Sequence, residues 1–247
     1  MSADAFRPIW VVPCYRHESS LRKFLPQLVA TGIPILVVDD GNDEPLAPFE
    51  GADFIRSEKN EGKGAALVRG AHWATKRGYT HLVQIDADGQ HSVSDALTMI
   101  AVAEKEPNVF ISGFPIYDAS APMTRAKGRE ITRFFLWLET GLKGEDGLCG
   151  CRVYPLQQFL QVCQRVRTRR MGFDVEVIVK WIWQGYRIKQ HHIHVTYPLD
   201  GISNFRMLRD NVGFFALHTR LCCLRILRFF YKRSLTKDLA IDLANSK

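Results

Sequence analysis

The sequence predicts an α/β fold, a mainly parallel sheet with helices on both faces. Three observations carry that expectation. Short apolar runs alternate with amphipathic helical patterns through the first half of the chain, as βαβ units require. Several of those runs end in polar residues, where open α/β sheets place their ligands. No apolar run reaches the roughly 18 residues of a spanning helix, so the chain is not expected to cross a bilayer by itself.

I-W-V-V-P (9–13), P-I-L-V-V-D-D (34–40), H-L-V-Q-I-D-A (81–87) and N-V-F-I-S-G (108–113) read as strands, with D-F-I-R-S (53–57) a short one. After the first strand, Leu21, Phe24, Leu25 and Leu28 stand at helical spacing, and Pro26 should kink that helix or mark its first turn. Residues 62–78 form a second helix closed by Gly78, and 93–106 a third. In the second half, 124–142, 153–163 and 172–185 read as helices and 187–198 as a strand. No repeat, low-complexity stretch or linker interrupts the pattern. One domain over 1–205 with a helical C-terminal extension, 206–247, is the economical division.

With 247 residues, 46% hydrophobic and 24% charged, one core is expected. The net charge of +7 favours anionic partners without choosing among nucleic acid, phosphorylated substrates and acidic lipid. The six cysteines show neither zinc spacing nor a disulfide framework, and M-S-A-D-A-F-R-P-I-W lacks the basic start and apolar core of a signal peptide. A cytoplasmic location is therefore expected.

The stretch V-Q-I-D-A-D-G-Q-H (83–91) ends a strand in two carboxylates. If the pleat continues, Asp86 and Asp88 point to one spot, and two like charges there call for a hard cation, Mg2+ or Mn2+, whose shell substrate phosphates complete. The other reading is a turn, where Asp and Gly are common. The first strand ends in Pro13, Cys14 and Tyr15 and the second in Asp39, Asp40 and Gly41, so three neighbouring strand ends carry polar groups. One site explains them better than three turns.

P-C-Y-R-H-E-S-S-L-R-K-F-L, V-V-D-D-G-N, N-E-G-K-G-A-A-L and D-A-D-G-Q-H come in that order, followed by D-G-L-C-G-C-R-V-Y-P, M-G-F-D-V-E-V and Y-P-L-D-G-I-S-N-F. Over about residues 8–205 the chain resembles the family 2 glycosyltransferases of the Rossmann-like GT-A fold. Within that family it is similar to the polyprenyl-phosphate sugar transferases and to small enzymes of bacterial aryl-polyene and lipid pathways. The resemblance implies metal-dependent, inverting transfer of a sugar from a nucleotide-sugar to a lipid-linked or lipid-destined acceptor; a UDP-sugar is the default donor, with GDP-mannose second. It further implies that Pro13 and Tyr15 line the base, that Asp39 and Asp40 contact base or ribose with Asp40 preferred, and that Asp86, Ala87 and Asp88 form the D-x-D motif. Gln90 would complete the metal shell, with His91 second because hard cations prefer oxygen. Lys63 is either a donor contact or a solvated lysine. Arg125, Lys127 and Arg129 stand where that branch carries arginines for phosphate, and Arg129 is preferred.

Asp174, in G-F-D-V-E, resembles the family's general base, but the usual E-D pair is absent, so Glu176 and Asp146 stay in contention. A lipid phosphate acceptor, already anionic, would need no base. H-H-I-H (191–194) reads as histidines on an edge strand, and Cys149 and Cys151 as buried small residues.

Residues 212–235 are apolar around most of a helix, while His218, Arg225, Arg228 and Lys232 fall in roughly an 80° stripe at ~100° per residue. Such a stripe suits an anionic membrane surface. Packing on the core, or a dimer contact with a second chain, is the alternative. A nucleic-acid-binding module would need cations rather than acids at the strand ends, so no nucleic acid is expected. A dehydrogenase would need G-x-G-x-x-G after the first strand, and a sugar nucleotidyltransferase a Gly-rich phosphate loop; neither is present.

Overall fold

The computed structural model describes residues 5–117, 123–144, 146–196 and 207–245, with side chains described except at 123–127, 207–208 and 231–245. The stretch Y-P-L-D-G-I-S-N-F (197–205) lies outside the described residues, as do the side chains of Arg125, Lys127 and Lys232. The elements run β1 (Pro8–Cys14), α1 (Glu18–Val29), β2 (Ile35–Asp39), β3 (Asp53–Arg56), α2 (Lys63–Thr75), β4 (His81–Gln84), α3 (Val93–Lys105), β5 (Phe110–Tyr117), α4 (Met123–Thr140), β6 (Arg152–Pro155), α5 (Leu156–Cys163), α6 (Phe173–Trp183), β7 (Ile188–Val195) and α7 (Met207–Asn245).

The strands form one sheet in the order β3-β2-β1-β4-β6-β5-β7. Alternate residues of β1 feed two cores. Ile9 and Val11 pack with Leu67 of α2, Phe159 of α5 and Trp181 of α6, while Trp10 and Val12 meet Leu21 and Phe24 of α1 and Met99 of α3. Burial on both faces is what a parallel sheet requires.

Three features correct the sequence expectation or decide between its alternatives. R-V-Y-P does not open a helix but forms β6, antiparallel to both neighbours, and α5 begins only at Leu156. Pro26 lies inside α1 rather than in its first turn. It is on the exposed face, so solvent can satisfy the carbonyl of Arg22 that loses its helical partner.

The third concerns the basic stripe of α7, whose described members, His218, Arg225 and Arg228, bond to the protein, the packing alternative. His218 is buried and its Nδ1 lies 2.7 Å from Glu139 Oε1. Arg225 donates to the carbonyls of Trp137 and Leu138 near the end of α4, and Arg228 to that of Trp183 at the end of α6. Helix C-termini carry unpaired carbonyls and partial negative charge, so they draw guanidinium groups that would otherwise face outward. Among the described residues of α7, Val212, Phe215, Ile226, Leu227, Phe229 and Phe230 are apolar and between 55% and 71% exposed. Ile131, Phe134, Trp137 and Leu138 of α4 are exposed as well. Among the described residues no helix is long and apolar enough to cross a membrane.

β7 is an edge strand, with His192 and His194 exposed. All six cysteines are free, and Cys149 and Cys151 are fully buried.

Candidate active site at the carboxyl end of the sheet

Parallel pairing of β1 with β2 and of β1 with β4 brings the three strand ends together. Pro13 lies within β1 and is half-buried, as is Tyr15, whose ring lies 5.1 Å from the Arg16 guanidinium carbon. The two acids at the end of β2 each organise a loop. Asp39 accepts from the backbone and side-chain amides of Asn42 and from Leu46 N, at 2.7–3.2 Å. Asp40 accepts from Asn60 Nδ2 and from the backbone of Glu61 and Gly62, at 2.8–3.0 Å, and so fixes the N-E-G-K loop. Burial raises the pKa of Asp40, and the two backbone amides pull it back only in part. Gly41 is required directly after them: it has φ +70°, and a Cβ there would stand 2.2 Å from the Lys59 carbonyl carbon.

That loop delivers Lys63 to the first turn of α2, where a cation opposes the helix dipole and needs other partners. It has two. Lys63 Nζ lies 2.7 Å from Asp86 Oδ1 and 2.9 Å from Asp174 Oδ2. Burial alone would lower the Lys63 pKa, but Asp174 and Asp86 outweigh it and raise it, so the ammonium stays charged. Lys63 is therefore no solvated lysine.

Asp174 sits in the first turn of α6, where the helix dipole favours an anion. Gln84 Nε2, at the end of β4, donates to its Oδ1 at 3.2 Å, and Arg152 Nη1 lies 3.6 Å away. Arg152 is fully buried and also donates to Gly147 O, Cys149 O, Tyr154 Oη and Asp174 O. Burial would raise the Asp174 pKa, yet Lys63 and Arg152 hold it below the ordinary carboxylate value.

Asp88 carries the opposite shift. Burial and the neighbouring Asp86 raise its pKa, and Gln90 N donates to its Oδ1 at 3.0 Å. Ala87 between the two acids is buried. His91 is buried beside them with its Nδ1 unpartnered. Two carboxylates in excess of their cation, the amide of Gln90 and an orphaned imidazole nitrogen fit a divalent ion. Among the described residues no three His, Cys, Asp or Glu side chains are grouped to hold a metal alone. The set fits an ion that takes the rest of its shell from a ligand, as Mg2+ and Mn2+ do from phosphates.

Arg129 and Asp146 are joined to this centre by the turn into β6. Arg129 Nη1 lies 2.7 and 2.8 Å from the Asp146 oxygens, and Asp146 also accepts from Leu148 N and Cys149 N. Burial opposes the charge on Arg129, but Asp146 outweighs it. Glu176 is placed elsewhere. It is buried under the 167–168 turn, accepting from Arg167 N, Thr168 N and Thr168 Oγ1, and pairs with Arg220 of α7 at 2.8 Å.

Sequence reasoning missed Gln84, Arg152 and Gly150. The signal for the last is a glycine between two buried cysteines, since a Cβ at Gly150 would stand 1.9 Å from Asp86 Oδ2. Gly150→Ala is expected to cost about 1–3 kcal/mol by overpacking. Urea unfolding of the variant checks this; unchanged stability would mean that Asp86 swings away freely.

The sequence model described as Glycosyl transferase family 2 matches residues 9–160. The polyprenol monophosphomannose synthase of Mycolicibacterium smegmatis is 30% identical over 212 residues, covering 80% of this chain and 80% of that protein. The undecaprenyl-phosphate mannosyltransferase of Micrococcus luteus is 25% identical over 226 residues, covering 84% and 90%. Among solved structures, a mycobacterial protein superposes with a TM-score of 0.61 at 16% identity, over 90% of this chain and 74% of its own.

Proposed function

The chain belongs to glycosyl transferase family 2, and on that premise we propose that it transfers a sugar, with inversion, from a nucleotide-sugar to a lipid phosphate. A UDP-sugar is the first donor to test and GDP-mannose the second. The observation that carries the choice of acceptor is the environment of Asp174. A carboxylate held below its ordinary pKa by Lys63 and Arg152 is a weak proton acceptor. A lipid phosphate arrives without a proton to remove, and two relatives are named for transfer to polyprenyl carriers.

In this reading Pro13 and Tyr15 frame the base, and Asp39 and Asp40 shape the loops around base and ribose. Asp86, Asp88 and Gln90 would hold Mg2+ or Mn2+, which supplies Lewis-acid stabilisation of charge on the diphosphate. Lys63 meets the same diphosphate. Asp174 orients Lys63, and Arg129, steered by Asp146, receives the acceptor phosphate bidentately. Incubation with labelled UDP-, GDP- and CDP-sugars, Mn2+ and polyprenyl phosphate tests the function. Label is expected to enter the organic phase; exchange of pyrophosphate into the nucleotide-sugar would make the protein a nucleotidyltransferase instead.

The extension from 206 to 247 serves this acceptor by resting on the cytoplasmic face of a membrane. Support comes from the apolar outward faces of α7 and α4, since exposed apolar surface of this extent marks a contact. Because Arg225 and Arg228 turn inward, neutral phosphatidylcholine vesicles are expected to pull the protein down even at high salt. A double substitution, Phe215→Glu with Phe229→Glu, should leave it in solution with its thermal midpoint unchanged. Pull-down only by anionic vesicles would overturn the apolar contact, and a dimer that ignores vesicles would assign the face to a second copy.

A further inference from the structure

Lys63 is held more tightly at its root than its long stem requires. Gly62 has φ +102°, and a Cβ on it would stand 2.5 Å from Arg169 O. Gly64 N donates to that same carbonyl at 2.9 Å, and the Phe173 ring lies where a Cβ of Gly64 would go. The backbone is therefore wedged against the segment that leads into α6, and only the four-carbon stem of Lys63 is free to move.

The two acids that share the ammonium are not equivalent. Asp174 has a second cation in Arg152 and a donor in Gln84, at 3.6 and 3.2 Å. Asp86 has Lys63 on Oδ1, while its Oδ2 lies beside Gly150, in the space a side chain there would fill. Asp86 thus has Lys63 as its one ion-pair partner among the described residues, and the absence of a side chain at Gly150 leaves room for its other oxygen. A second cation on Asp86 would stand close to the Lys63 ammonium and be repelled by it.

We infer that Lys63 is a transferable counter-ion that couples cation binding at Asp86 to the arrival of the donor's diphosphate. The inference rests on the reading of Asp86 and Asp88 as metal ligands. A cation at Asp86 and the ammonium compete for one carboxylate, so each weakens the other. A diphosphate beside Asp86 offers the ammonium a new anionic partner. Lys63 then leaves Asp86 while Asp174 still tethers it, and the competition ends. Metal and nucleotide thus bind together far better than either alone, and linkage makes the gain the same in both directions.

Titration of the full chain with Mn2+, followed by the electron paramagnetic resonance of free Mn2+ and repeated with UDP after correction for the Mn2+–UDP complex in solution, tests the coupling. Lys63→Met is expected to bind Mn2+ alone about tenfold more tightly than the wild type, and UDP should enhance its Mn2+ affinity about tenfold less. Lys63→Arg, which keeps the charge, should behave as wild type, and Lys63→Gln takes the place of the methionine variant if that one does not fold. Mn2+ binding to the neutral variant no tighter than to the wild type overturns the inference when Asp88→Asn still loses Mn2+. Wild-type Mn2+ affinity in Asp88→Asn overturns the metal reading itself, and the inference with it.

Discussion

Asp88→Asn abolishes metal-dependent nucleotide binding and leaves the fold in place; this is the largest effect expected of any single substitution in the chain. The change removes one charge from the carboxylate pair at nearly constant volume. The Gln90 N–H keeps an oxygen acceptor, since the amide carbonyl can replace Asp88 Oδ1. Repulsion from Asp86 disappears, so the thermal midpoint should hold or rise. A divalent ion loses a hard anionic ligand that the other donors do not replace. Isothermal titration with UDP and Mn2+ is the measurement, with affinity expected to fall beyond detection. Unchanged affinity across UDP, GDP and CDP-sugars would sink the metal assignment.

Asp174→Asn lowers transfer about 100-fold or more, the scale on which misplacing a positioning group slows a reaction, while donor affinity changes far less. The variant keeps Gln84 as a partner but withdraws the charge facing Lys63 and the buried Arg152. Removing one member of a buried pair costs about 3–5 kcal/mol, so turnover must be measured below the lowered midpoint. The pH dependence has a definite sign. The folded-state pKa of Asp174 is depressed, so its stabilisation is present above the unfolded carboxylate pKa and is lost as pH falls through the folded value. The stability gap between wild type and variant should therefore be full at neutrality and close in acid. A general base would also print an acid limb on the transfer rate that the variant lacks. An orienting Asp174 leaves the shape of the pH–rate profile the same in both, and equal turnover of the two proteins would remove Asp174 from the reaction.

The strand ends are legible in the sequence because apolar runs stop abruptly at acids, and parallel pairing then leaves those acids no other place to go. β6 is not legible. Val153 and Tyr154 face opposite cores and are both fully buried, so the segment has no alternation, and four residues are too few to show a period. The basic stripe of α7 shows a different limit. Its spacing is plain in the sequence, but spacing identifies a face and not what the face meets, and the carbonyls of Leu138 and Trp183 that draw Arg225 and Arg228 lie far away along the chain. The same holds for the acids. Asp174, Asp146 and Glu176 look alike as candidates, and only the fold gives the first to Lys63, the second to Arg129 and the third to Arg220.

The antiparallel β6 also bears on how the chain is made. Synthesis delivers β1, β2 and β4 early, and they can pair as they emerge. β5 comes next and, as the next strand in sequence, would ordinarily settle beside β4. Its final place is one strand further out, because His81 to Gln84 must pair with Pro155 to Arg152. Until residue 155 has left the ribosome, the strand that leads to Asp86 keeps one edge open, exposed to the wrong neighbour. The segment that cradles Asp86 is thus among the last parts of the sheet to be completed, and a nascent chain stopped short of it holds Asp86 and Asp88 without their frame.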